Sequence, residues 1–509
     1  MQKNYFMKNV LAASMLLALS MGMSSCTGLV DAVLGTSDNP TTQPTTQPTA
    51  SSAVVTADQT TITISSLEDM ANAVSAEQNE QFLNAIKAKA AAGEEYTINI
   101  KSEQPLSTNS FEGLVIPRVE GSNINIVFDK PLVTTEASPL KITADEKKSN
   151  TSTTAVNELT ITMPDGASDV YLNIDMPETT VTLAGNTSYK LVESITASET
   201  LIVGDGVEIE SLVIKGGSLE IQEGGVIEEL TVNNTKDLTI INFDSEDSKG
   251  VIKRLVIADG ASVNFNVKAP NIENIEGEGN AKILYGGPDH FESIDLKNVK
   301  SLSGVSFSLI NDEDSRYPMG GISNVPDKTH DCSFLADLIN NLGSDVKNCN
   351  ITSGIYGVNG NVYDCVIVLP ADRLGMRISD EIPAITFSNC KITSYPDEPI
   401  EISATSENIS TFTVTFDKCE FADGSNPMRI EANVDKNFDK YENYILRIAV
   451  NNCTYNGSEF TYDKVKMRHY RVSGKNAQCY YNFNGVDYVV GTKDAESSWE
   501  RYYLKPANE

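Results

Sequence analysis

Histidine and tryptophan are nearly missing from this chain: three histidines (His290, His330, His469) and one tryptophan (Trp499) stand in 509 residues. So few imidazoles leave little choice for general acid–base work by the side chain best suited to it near neutral pH, and any such role falls to carboxylates. Basic residues are also few, 39 against 70 acidic ones, for a formal net charge of −31. That balance disfavours nucleic acid and anionic lipid head groups, and polyanionic sugars too unless calcium or a local basic patch intervenes. No CxxC or Cys/His pair at ligand spacing occurs, so metal binding has no signature and no cofactor is implied. Beyond residue 23 no run of 18 apolar residues is found, which argues against a spanning helix in the body of the chain.

The one hydrophobic run is VLAASMLLALSMGM (10–23), preceded by Lys3 and Lys8 and followed by SSC. Its length and flanks read as a secretory signal over 1–25. The ending SMGMSSC resembles a bacterial lipobox, which implies that Cys26 is diacylated and becomes the new N-terminus. Met23 departs from the leucine more usual there, and ordinary cleavage with Cys26 as a bystander is the alternative. Acyl chains anchor rather than span, each buried methylene contributing roughly 0.8 kcal/mol. Residues 26–60, with TTQPTTQPTASS at 41–52, read as an extended linker that buries no core. The expected location is the outer membrane, lipid-anchored and surface-exposed. No acidic run follows Cys26 to fix the leaflet.

Helix signals are confined to SSLEDMANAVSAEQNEQFLNAIKAKAAAG (65–93). Ser65 and Glu68 form a capping-box pattern, Gly93 sits at a C′ position, and Leu67, Met70, Ala71, Val74, Phe82, Ile86 and Ala90 share one face. From about residue 96 onward, short Val/Ile/Leu/Thr runs broken by Gly, Asn and Asp read as all-β. Between 200 and 260 the chain repeats: Leu201, Leu219 and Leu238 are 18 and 19 residues apart, Gly206 and Gly225 are 19 apart, and Leu212 and Leu230 are 18 apart. A period near 20 with strands and glycine turns marks a solenoid, because one coil cannot bury its apolar face alone. A β-sandwich with short hairpins is the competing architecture.

A second repeat carries the cysteines. VKNCNI, VYDCVI, FSNCKI, VTFDKCEF and VNNCTY recur, with HDCSF and AQCYY as looser copies, at intervals of 17, 16, 25, 29, 34 and 26 residues. Val346, Val362, Phe387, Phe416 and Val450 stand three before a cysteine. Phe334, Ile351, Ile367, Ile392, Phe421, Tyr455 and Tyr481 stand two after one. Asn or Asp precedes five of the seven. This turn-and-strand unit, with the helix and FLNAIKAKAAAGEEYTINI (82–100), resembles pectin-lyase-like proteins. The resemblance implies a right-handed parallel β-helix with an N-terminal amphipathic capping helix and a C-terminal β cap. The expected parts are a capping helix and first β-helix region (61–330) and a cysteine-ladder region with an aromatic cap (331–509). Cysteine suits a small buried site, and the roughly 4.8 Å between parallel strands exceeds the Cβ separation that a disulfide prefers, so the thiols are expected free and buried.

The resemblance also implies polysaccharide lyase or glycoside hydrolase activity as one alternative, but the NTD, DD, GHG and RIK signatures of galacturonases are absent. The acidic loops 243–250 and 311–316 lack an ordered calcium-ligand pattern and read as solvated turns. The sharper surface is DKVKMRHYRV (463–472): Lys464, Lys466, Arg468 and Tyr470 alternate with Val465, Met467 and His469, and Trp499 follows in an aromatic-rich tail. On a strand, alternation puts that set on one face. It reads as a docking face for a glycan or protein, or as a cap over the last coil. The expected protein is a non-catalytic adhesin or other glycan- or protein-binding envelope protein. A structural envelope subunit is a third possibility.

Overall fold

Alternating side chains decide how this chain coils. In Thr179–Ala184, Val181 and Leu183 are buried while Thr180 and Thr182 face outward, and Ser218–Ile221 repeats the pattern with Leu219 and Ile221. The computed structural model describes residues 61–74, 80–145, 157–195, 200–244, 249–285, 293–310, 320–370, 375–379, 381–394, 400–404, 410–423, 430–434, 445–464, 467–470, 478–493 and 501–508. Like side chains stack coil upon coil in parallel register: Val181 lies opposite Leu201, Leu201 opposite Leu219, and Leu219 opposite Ile241. The described residues form a parallel β-helix solenoid, nearly all β in its regular elements.

Two parallel sheets run its length. The first begins at Thr61–Ile64 and Tyr96–Ser102 and reaches Thr454–Tyr455; the second runs from Leu114–Ile116 to Gln478–Phe483. A third starts at Ile294–Asp295 and passes through Gly321–Ser323, the later parts of Ser333–Leu342 and Asn350–Val358, Met376–Ser379, Ile400–Ala404 and Ile430–Val434 to Met467–Tyr470. One inward column of the second sheet is unbroken from Leu140 through Leu172, Val192, Leu212, Leu230 and Leu255. It continues through Ile275, Leu302, Thr329 and Val346 to Phe387, Phe416, Val450 and Phe483. Thr329, its polar member, satisfies its buried hydroxyl by donating to the Pro326 carbonyl at 2.8 Å.

Two helices cover the N-terminal end. α1 (Leu67–Val74) and α2 (Glu80–Ala92) connect Thr61–Ile64 to Tyr96–Ser102, burying Leu67, Met70, Val74, Phe82 and Ile86, with the Phe82 ring 6.0 Å from that of Tyr96. The capping pair differs from the Ser65/Glu68 pattern by one residue. Ser66 Oγ accepts from the Asp69 amide at 3.1 Å, and the Asp69 carboxylate accepts from the Ser65 hydroxyl at 2.7 Å. The helix begins at Leu67, so the residue beside its first turn is Ser66 and the third helical position is Asp69. The Ser65 hydroxyl bond holds the Asp69 carboxyl below the usual carboxylate range. Gly93 (φ 68) ends α2 as expected, with Gly93 N bonded to Ala90 O and Glu94 N to Lys89 O in a Schellman arrangement.

Two repeat positions shift. Leu219 stacks on Ile241, not Leu238, because Asn234 Oδ1 accepts from the Lys236 and Asp237 amides and this turn delays the next strand to Thr239. Gly206 is level with Gly224 rather than Gly225. Both have positive φ (74 and 89), and a Cβ on Gly224 would meet Asp205 Oδ1.

Candidate functional site

The cysteine corner is built first by backbone geometry. Asp331, Asn348, Asp364, Asn389, Lys418 and Asn452 all lie in the left-handed region, φ 51 to 58, which Asn and Asp tolerate better than other side chains. Their amides pair with the next coil: Asn348 N to Tyr363 O, Asp364 N to Ser388 O, Asn389 N to Asp417 O, and Lys418 N to Asn451 O. Side-chain amides add a second ladder, with Asn389 Nδ2 donating to Asp364 Oδ1 at 2.5 Å and Asn348 Nδ2 to Asp331 Oδ1. The Asn348 amide, and then the His330 ring 2.8 Å from Asp331 Oδ2, hold the Asp331 carboxyl low.

Six of the seven described cysteines, Cys332, Cys349, Cys365, Cys390, Cys419 and Cys453, follow this turn and point inward. Backbone bonds run up the column from Ala261 through Ala281 and Val305 to Cys332, Cys349, Cys365, Cys390 and Cys419, so the thiols continue a column of small apolar side chains. Each thiol finds main-chain acceptors: Cys365 Sγ donates to Tyr363 O at 3.1 Å, and Cys453 Sγ to Phe416 O and Asn451 O at 3.3 Å. All seven described cysteines are buried and unbridged. Cys479 is not a rung of this ladder. It lies opposite Leu446 within a strand, and Tyr481 opposite Ile448, because Asn484–Gly485 turns the chain back where a seventh corner would form. Burial pushes its thiol up to about 12, and the hydrogen bond with Cys332 pushes Cys349 up to about 12. Buried thiols of this kind are inert packing elements.

Of the residues expected at the docking face, Arg468 and Tyr470 lie on the strand Met467–Tyr470, two apart and so on one face of it. Tyr470 is opposite Asn433, and Arg468 opposite Arg501. Lys464 does not share that strand: it closes a 3-10 turn, Tyr462–Lys464, where strand alternation does not extend. Cys26, Lys466 and Trp499 lie outside the described residues, as do residues 245–248 and 311–316 of the acidic loops. Beside the first of those loops, Asp244 Oδ2 accepts from the Glu223 amide and Lys249 pairs with Glu223 at 2.8 Å.

The C-terminal strands cap all three sheets. Gln478–Phe483 turns at Asn484–Gly485 into antiparallel Val486–Lys493, which pairs with Arg501–Pro506, which in turn pairs with Met467–Tyr470. The first sheet ends in a hairpin at Asn456–Gly457. Both turns have two positive-φ residues and the Asn-Gly sequence that such turns favour. The Phe460 ring packs 5.1 Å from Phe421, and Tyr462 stacks 4.3 Å from Tyr488. Arg447 ties the hairpin to the coil beneath it through Asp487 at 3.1 Å and Tyr480 at 5.5 Å. Much of the C-terminal aromatic richness thus serves as a lid over open strand edges.

Outer faces divide by chemistry. The second sheet carries ion pairs between coils: Lys253–Glu228 at 2.5 Å, Lys300–Glu273 at 2.8 Å, and Arg254 with both Glu229 and Glu276. Arg254 holds the Glu276 carboxyl low. The third sheet carries a different column, in which Asn340, Tyr356, Arg377 and Glu401 lie opposite one another in successive coils. The Arg377 guanidinium sits 5.0 Å over the Tyr356 ring, its Nε lies 4.0 Å from Glu401, and Tyr356 is 46% exposed. Local sequence motifs do not reveal this group, since its members stand 16, 21 and 24 residues apart. Among the described residues no cluster of three or more His, Cys, Asp or Glu is arranged to hold a metal.

No protein-family model, no curated protein and no solved structure matches the chain.

Proposed function

We propose that this is a lipid-anchored cell-envelope protein of pectin-lyase-like architecture, held at the outer membrane by Cys26, and that its β-helix binds an extracellular glycan or protein without turning it over. The observation that carries the reading is the outer column of the third sheet. A large aromatic residue, Tyr356, is half exposed with Arg377 over it and Asn340 and Glu401 to either side. An exposed ring flanked by hydrogen-bonding and charged groups suits recognition of a sugar or of a polar protein surface. The strand bearing Arg468 and Tyr470 adds to this same sheet beyond Ile430–Val434, so the column and the C-terminal basic strand form one surface in this reading. The test is a binding screen of the intact protein against a glycan panel and intact cells, read for retention and for released products. Retention without product is expected; release of unsaturated or reducing sugar ends overturns the non-catalytic reading in favour of a lyase or hydrolase.

A further inference from the structure

We propose a second binding surface: the outer face of the first sheet between Thr61 and Ile202 takes an uncharged polysaccharide laid flat along the solenoid axis. The outward positions there are mostly threonine and asparagine. Thr97 lies opposite Asn125, Asn125 opposite Thr160, and Thr160 opposite Thr182, while Thr180 lies opposite Thr200 in a neighbouring column. Across the six strands from Thr61–Ile64 to Thr200–Val203, the outward strand positions carry charge only at Lys101 and Glu158. These two stand toward opposite ends of their strands, at the margins of the face. A third charge reaches the face from the residue before Tyr96–Ser102: the Glu95 carboxylate accepts from Thr97 Oγ1 and Asn125 Nδ2.

Solvent exposure alone does not account for that composition. The second sheet of neighbouring coils is equally turned to solvent and carries Lys190 paired with Glu210 and Lys215 paired with Glu193. In a chain of net charge −31, the second sheet pairs charges between coils at Ser188–Ser194 and Glu208–Ile214, whereas the outward rows of the first sheet named above are threonine and asparagine. A face with almost no charge offers an ionic ligand nothing to pair with. It offers a neutral one rows of hydroxyl and amide groups, each threonine adding a methyl. Sugar rings present the complementary mixture of hydroxyls and C–H edges. The coil spacing of about 4.8 Å is of the size of one sugar unit in an extended chain, so a glycan along the axis meets a fresh row at every coil. The rows are also pre-formed: Thr162 Oγ1 donates to Asn125 Oδ1 at 3.3 Å, and Asn125 Nδ2 donates to Glu95 at 3.4 Å, fixing side-chain directions before any ligand arrives. This surface stands independently of Tyr356 and the C-terminal strand.

The experiment is depletion of the intact protein, in detergent, by insoluble uncharged polysaccharides (cellulose, curdlan and mannan) and by a polygalacturonate gel as the charged control. Wild type is expected to be depleted by at least one neutral polymer, with little effect of added salt because no ion pair forms. Thr160→Lys with Thr200→Lys places two charges two coils apart on a solvent-facing sheet, and is expected to weaken that binding about tenfold or more. Thr160→Val with Thr182→Val and Thr200→Val keeps shape and strand preference but removes hydroxyls, so it is expected to weaken binding with no loss of melting temperature. Depletion by none of the neutral polymers overturns the proposal, as does neutral-polymer binding that both variants retain. Concentration-dependent self-association lost in the same variants, without polysaccharide retention, overturns it in favour of a second copy of this chain. Variants of Tyr356 leave this binding unchanged, so failure here and failure at the third sheet are separate results.

Discussion

Cys390 Sγ lies 3.4 Å from the carbonyl oxygen of Val362, one coil away, and the same distance from Ser388 O at its own corner. The buried thiol is thus offered two acceptors, and Cys419 repeats the arrangement with Phe387 O at 3.4 Å and Asp417 O at 3.5 Å. Replacing either by serine exchanges an apolar atom for a hydroxyl that still finds a partner. Cys390→Ser and Cys419→Ser are therefore expected to cost about 1 kcal/mol, the lower end of the range for a buried polar group. Urea unfolding midpoints measure it; a loss several times larger means the carbonyls do not accept from the hydroxyl.

The same burial governs reactivity and alkaline stability. Native protein is expected to react slowly with a thiol reagent, and denatured protein rapidly at all seven described cysteines. For Cys479 burial raises the thiol to about 12 in the folded state. The folded chain holds that proton after the unfolded chain has released it. Its contribution to stability is therefore complete below about pH 9 and is lost as pH rises toward 12. Thermal melts across that window should fall, and Cys479→Ala should flatten the decline; a decline unchanged in the variant assigns it to other groups.

Lys418 is the exception in the turn ladder. Its φ of 54 matches that of Asn389 below and Asn452 above, yet its side chain lacks the short polar group that eases this conformation. Lys418→Asn is expected to stabilise the protein by roughly 0.5–1 kcal/mol, seen as a higher melting temperature. A lower one would falsify the view that the conformation, not the lysine charge, sets the local energy.

The coil was legible in the sequence because each rung is local: a turn residue, a small buried residue and an alternating strand lie within eight positions, and neighbours repeat them. Register was less legible, since it depends on how loops return the chain. AQCYY has the right local order, yet Cys479 stacks on Leu446 because Asn484–Gly485 reverses the chain. Leu238 has the right interval, yet the Asn234 turn displaces it. The Tyr356–Arg377 pair was invisible for the same reason, being made only when coils of different length come level. The run Lys464 to Tyr470 looked like one strand because alternation says nothing about the 3-10 turn that begins it.

Anchoring has a separate test. If Cys26 carries the acyl chains, Cys26→Ser shifts the protein from the membrane to the soluble fraction, because each lost methylene removes roughly 0.8 kcal/mol of membrane affinity. Unchanged membrane retention, with no lipid mass on the N-terminal peptide, rules out the anchor.

The third-sheet column makes the last prediction, which concerns binding alone. Tyr356 is half exposed and Arg377 lies 5.0 Å over its ring, so truncating either removes surface chemistry without opening a core cavity. Tyr356→Ala is expected to weaken ligand retention roughly three- to tenfold, the scale of one aromatic or cation–π contact of about 0.5–1.5 kcal/mol, with a melting temperature close to wild type. Arg377→Glu separates ligand classes. An acidic ligand loses affinity strongly and wild-type binding to it weakens with salt, because the guanidinium supplies the attracting charge. A neutral ligand responds to Tyr356→Ala far more than to Arg377→Glu and ignores salt. Charge reversal at Arg468 then asks whether the surface extends to the C-terminal strand: weaker binding joins the two, and unchanged binding confines the ligand to the coils around Tyr356. Full retention by both Tyr356→Ala and Arg377→Glu removes this face from the binding function altogether.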